Sequence, residues 1–144
     1  MAETVVVRQN NAFEIEFQAT DPHGADQETL DDVVHIYDLT PYGMLLASMG
    51  SCTTILLHSY AQNHAIPLEW VEIRLTFDRE FDEDCEHCEE IDRYLDVIDV
   101  SMKFTGPLSP PDHQKLLAIA AQCPVHKMVT DPTRVRLGLA EPKG

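Results

Sequence analysis

The chain has 144 residues, 44% of them hydrophobic, and its 25 acidic against 10 basic side chains give a formal charge of -15. That length suits one domain with a modest core, and the hydrophobic share excludes a disordered chain. So much negative charge repels nucleic-acid phosphates and anionic lipid, which sets aside nucleic-acid and membrane-surface partners.

The opening residues, "MAETVVVRQNNAFEIEF", lack the basic start and continuous apolar core of a secretory signal and alternate like a strand. A cytoplasmic protein is the expectation. Phe13, Ile15 and Phe17 fall on one side of such a strand and Glu14 and Glu16 on the other. The cluster "DPHGADQETLDD" then reads as a loop. Thr40 is placed as an N-cap and Pro41 at the first helical position, which predicts a helix from Pro41 to about Asn63. Its first half, "PYGMLLASMGSCTTILL", is apolar all round and is expected to be wrapped by other elements, while its uncharged run is too short to span a bilayer.

Val71, Ile73, Leu75 and Phe77 alternate with Glu72, Arg74, Thr76 and Asp78, and Ile98, Val100, Met102 and Phe104 alternate in the same way, predicting two more half-buried strands. In "TGPLSPPD", Ser109 caps a second helix and Asp112 at its third position completes a capping box, with Leu116, Leu117, Ile119 and Ala120 as its apolar stripe. Pro124 opens a third, short helix with Cys123 at its N-cap, and "TRVRLGLA" supplies a weaker final strand. No internal repeat or Gly/Ser-rich linker divides residues 1–144, so a single α+β domain is expected, with helices on a largely antiparallel sheet.

The four cysteines are Cys52, Cys85, Cys88 and Cys123. In a chain of cytosolic character they are read as reactive, metal-binding or inert core residues before a disulfide framework. Cys123 is either a small packed hydrophobe or a thiol activated by the helix start, with His126 and Lys127 adding positive potential. Cys85 and Cys88 in "DEDCEHCEE" flank His87, yet structural zinc usually takes four ligands from two such pairs and only one pair is present, with Cys123 and His126 able in principle to complete a site. An acidic solvated loop is the preferred reading there, and no metal and no cofactor are expected. His35, His58, His64 and His113 form no hydrolase motif.

Taken as a pair, "TPYGMLLASMGSCT" and "CPVH" resemble the OsmC/Ohr family of bacterial thiol-dependent hydroperoxide reductases, on its OsmC-like branch, over about Asp38 to Ala140. The resemblance implies a two-layer α+β fold with a long buried central helix, assembled as an intertwined homodimer with two active sites at the subunit interface. It assigns Cys52 as the peroxidatic cysteine and Cys123 as the resolving one. Cys52 would be oxidised to a sulfenic acid by an organic hydroperoxide, Cys123 would condense with it, and an external dithiol of the lipoyl type or another would reset the disulfide. The activity the resemblance implies is peroxiredoxin-like, in oxidative-stress defence. Met44, Leu45, Met49 and Phe13 are candidates for an apolar pocket suited to lipid-derived peroxides. Relatives place an arginine from the N-terminal strands beside the peroxidatic thiol, which points to Arg8, and hold it with a glutamate just after the helix proline. Here Tyr42 and Gly43 occupy that place. A non-catalytic dimeric module binding an apolar small ligand at its interface is the alternative.

Overall fold

A computed structural model describes residues 2–21, 28–81 and 94–140. Cys85, His87 and Cys88 lie outside the described residues, and so do the zinc and loop readings attached to them.

The described elements are β1 (Glu3–Asn10), β2 (Ile15–Thr20), β3 (Leu30–Asp32), a single 3-10 turn (Ile36–Asp38), α1 (Pro41–Asn63), β4 (Trp70–Phe81), β5 (Tyr94–Thr105), α2 (Pro110–Ala120) and α3 (Pro124–Thr130). The five strands form one antiparallel sheet in the order β3-β2-β1-β4-β5. The α+β expectation holds.

Strand alternation decides which face meets α1. Val5, Val7, Val71, Ile73 and Leu75 point to one side and join Leu46, Met49 and Leu57 of α1 in the core. The opposite face carries Thr4, Arg8, Glu16, Glu72 and Arg74, with Arg8 opposite Glu16 on one neighbour and Glu72 on the other. Helix and sheet touch most tightly at Gly50, where a Cβ would lie 2.5 Å from the Val7 side chain and 3.0 Å from that of Leu75. Any larger residue there would force the two layers apart.

The start of α1 is fixed twice. Thr40 accepts a hydrogen bond from the Gly43 N–H at 3.0 Å, as an N-cap does, and donates its own proton to the Glu3 carboxylate of β1. The capping box at Ser109 and Asp112 forms as the sequence predicts, and it aims α2 back along α1, burying Leu116 and Ala120.

Three expectations are corrected. Phe13 does not extend β2: it takes a left-handed backbone (φ 63°) inside a tight turn closed by Asn10, and is exposed there. Residues 131–140 form no strand among the described residues, and Val135, Leu137 and Leu139 stand uncovered because no sheet edge receives them. The first half of α1 is not wrapped, since Tyr42 and Leu45 are open to solvent. A helix apolar all round predicts cover on every side, but within one chain the sheet covers only the face that carries Leu46, Met49 and Gly50.

Candidate active site at the thiol pair

Cys52 lies in the middle of α1, eleven residues beyond Pro41, and Cys123 caps α3, which is delivered to the same helix by α2. The chain turns between these helices through a bond from the Cys123 N–H to the Ala120 carbonyl at 3.2 Å. Its own carbonyl then accepts from Lys127 at 3.0 Å and starts α3. Pro124 sits where a missing N–H does no harm. The two cysteines that sequence reading paired are thereby brought together as free thiols, close enough for each to influence the other's ionisation.

Their surroundings differ. Cys52 is partly exposed, whereas Cys123 is 0% exposed. Burial pushes the Cys52 thiol up, the Cys123 thiol pushes it further the same way, and only the Val125 N–H opposes them. Burial works against the Cys123 anion too, but contact with the Thr53 hydroxyl, the His126 N–H, the Cys52 thiol and the Val125 N–H outweighs it and brings that thiol below its ordinary value. Cys123 Sγ closes no full capping bond, so these donors act as close dipoles and not as a fixed cap. Among the described residues no charged side chain figures among the influences on either sulfur, and His126 acts by its backbone alone.

Arg8 is not brought to the pair within this chain. Its guanidinium lies on the face of the sheet turned away from α1, 3.6 Å from Glu16, 3.4 Å from Glu72 and 4.8 Å over the Trp70 ring. The alternation of β1, with Val5 and Val7 facing the helix, could have told this from sequence. Tyr42, where the resemblance implies a glutamate, stacks on Phe77 with centroids 4.8 Å apart, and the nearby Arg79 of β4 binds Asp96 at 3.0 Å. Sequence reading also passed over Thr53, whose role needs α3 folded back against α1 and leaves no motif.

The four pocket candidates separate. Met44 lines an apolar cavity of about 300 Å³ with Phe17, Val33, Ile36, Leu39 and Ala47. Met49 is core, Leu45 faces solvent, and Phe13 meets His58 edge-on at 6.0 Å. Among the described residues no three His, Cys, Asp or Glu side chains gather as a metal site, and no helix is long and apolar enough to cross a membrane.

Comparison with known proteins agrees with this architecture. No curated protein matches the sequence. The solved structure of an OsmC-like hydroperoxide resistance protein from Jannaschia sp. CCS1 shares the fold, with a TM-score of 0.60 at 13% identity over 99% of this chain and 96% of that one. The family model described as OsmC-like protein matches residues 31–138, which takes in α1, the sheet hairpin and both thiols. On that match, the chain belongs to the OsmC-like protein family.

Proposed function

We propose that the protein reduces organic hydroperoxides with its two thiols, as part of oxidative-stress defence in a reducing cytoplasm. The observation that carries this reading is the contact between the free Cys52 and Cys123 thiols, one partly open and one enclosed. Family membership and a structural relative titled a hydroperoxide resistance protein support it in general terms.

In this reading Cys52 attacks the terminal peroxide oxygen, the O–O bond breaks, and its electron pair departs with the alcohol. The Cys52 sulfenic acid then loses its oxygen as water when Cys123 attacks sulfur, and a dithiol reduces the resulting disulfide. Access to Cys52 from an apolar exterior, with Leu45 one way and Ile55 the other along α1, suits a peroxide with a hydrocarbon body. We take the working unit to be a homodimer, because α1's outward residues and the uncovered 131–140 segment leave much apolar surface for one small chain to hold in water. Any role for Arg8 then lies on a partner's thiol.

Reduced protein treated with cumene hydroperoxide should form a Cys52–Cys123 disulfide detectable by mass spectrometry. Cys52→Ser should abolish peroxide consumption, and Cys123→Ser should leave a sulfenic acid that dimedone traps. Unreacted thiols under excess peroxide would sink the proposal. They would favour the second reading, a binding module, for which the apolar cavity beside Met44 and Phe17 is the supporting feature.

A further inference from the structure

Strand alternation sends Gln9 to the same face of β1 as Val5 and Val7, so a polar side chain ends in the layer between sheet and helix, where it is buried. There it meets His58 of α1, which is fully buried too. The ring's Nε2–H donates to the Gln9 carbonyl at 2.7 Å, and because that carbonyl can only accept, the neutral ring keeps Nδ1 as a bare lone pair. The Gln9 side chain donates from Nε2 to the Phe13 carbonyl at 3.3 Å. Its Oε1 has no partner, and Oε1 and His58 Nδ1 are the two buried side-chain atoms so placed among the described residues. Both are acceptors, so neither can serve the other, and burial makes each costly. One added proton turns the pair into a donor and an acceptor. The residue that Gln9 holds is the strained one. Phe13 keeps a left-handed backbone (φ 63°), disfavoured for a bulky side chain, and its exposed ring meets His58 edge-on at 6.0 Å.

We propose that Gln9 and His58 form a proton-operated latch on the turn between β1 and β2: when Nδ1 takes a proton it bonds Gln9 Oε1, the amide leaves the Phe13 carbonyl, and the strained turn opens locally. The inference stands apart from the hydroperoxide reading and does not depend on it. One proton enters from solvent and no covalent bond changes. Among the described residues no fixed charge faces the ring to compete for that proton. Arg8 of β1 lies on the opposite face of the sheet between Glu16 and Glu72, and β4 presents Val71 opposite Gln9. Glu14 of the turn is exposed and accepts from the Asn10 amide at 3.2 Å. On α1 itself, Tyr60 and His64 stack on each other with centroids 3.9 Å apart, and Lys115 of α2 lies 5.9 Å over the Tyr60 ring. Burial sets the range of the latch below the ring's ordinary 6.5, and the Gln9 carbonyl opposes it more weakly. The proton is admitted by rotation of one neighbouring side chain, ahead of any loss of the sheet.

The test uses the full unmodified chain. Nitrogen NMR of the histidine rings should show His58 as the Nε2–H tautomer at neutral pH and doubly protonated in acid. The amides to follow are those that close the turn, Phe13 N–H on the Asn10 carbonyl at 3.0 Å and Glu14 N–H on Asn10 Oδ1 at 3.0 Å. Their protection against hydrogen exchange, corrected for the intrinsic rate, should fall about tenfold for each pH unit from about pH 7.5 down to the His58 midpoint, while that of the core amides of β4 falls less. Gln9→Met keeps the length and removes both amide atoms, so its turn should be open at every pH. His58→Gln should keep the turn closed at every pH. If the ring titrates while the turn keeps its protection, the two acceptors share a bound water and the latch is overturned. Loss of protection in all strands at once, a His58 ring that never charges in the folded protein, or a Gln9→Met turn that still answers to pH overturns it as well. The exchange of the unmodified chain decides the matter even where a variant fails to fold.

Discussion

Along α1, Leu46, Gly50, Thr54 and Leu57 face the sheet and are buried, whereas on the far side Tyr42, Leu45 and Ile55 keep 50%, 39% and 46% of their surface exposed. The first set makes contacts that hold the fold, and its members are small or branched where the sheet comes near. The second makes few, and Cys52 shares its side of the helix, partly exposed between Leu45 and Ile55. A single helix thus separates stability from chemistry by about half a turn. Substitutions on the two sides should behave differently, and the contrast can be measured.

The largest loss should follow Leu57→Ala, which removes a fully buried side chain from the helix–sheet core and should cost about 3 kcal/mol in urea unfolding. Gly50→Ala comes next, at about 2 kcal/mol, because its new methyl group collides with Val7 and Leu75. Thr40→Ala removes the cap and the link to Glu3, and about 1 kcal/mol is the expected scale for a lost cap, read as a lower melting temperature.

The inner face should also be the side that feels acid. His58 is buried with its Nε2 on the Gln9 carbonyl at 2.7 Å and its Nδ1 without a partner among the described residues. Burial holds its pKa below the ordinary 6.5, with the Gln9 carbonyl opposing more weakly. The unfolded chain therefore binds a proton that the folded one refuses, and stability should fall as pH drops below about 6.5. Melting curves from pH 7 to pH 5 should show this, and His58→Gln should flatten the dependence.

The smallest effect should be on the outer face. Ile55→Ala should change stability by no more than about 0.5 kcal/mol at low protein concentration. A loss that appears only as concentration rises would show that a second copy covers this face, as the proposed homodimer requires, and would sharpen the contrast into one between folding and assembly.

What could be read from sequence follows the range of the forces involved. The bounds of α1 and α2 were legible because Thr40–Pro41 and Ser109–Asp112 are local signals, each satisfied within one turn. Cys52 and Cys123 were legible only through the paired motifs of the family, since 71 residues separate them. Phe13 was misplaced because period two continues through the Asn10 turn, while the left-handed backbone there is imposed by hydrogen bonds to Asn10. The Tyr42–Phe77 stack and the part played by Thr53 were invisible, since each depends on a neighbour supplied by distant chain. The alternation of 133–140 was real, but alternation does not create a sheet edge.

The contact at Gly50 reaches further than stability. Cys52 is two residues along the same rigid helix, so the depth of its sulfur above the sheet is set where backbone meets Val7 and Leu75, with no loop intervening. Loops elsewhere can lengthen, shorten or change charge and leave the sulfur where it is. Its alignment with Cys123 is set by a second anchor, since Leu116 and Ala120 of α2 join the same core just before the chain turns to Cys123. Within this design one core holds both thiols, one through the depth of a helix on the sheet and the other through the seating of α2 on that helix.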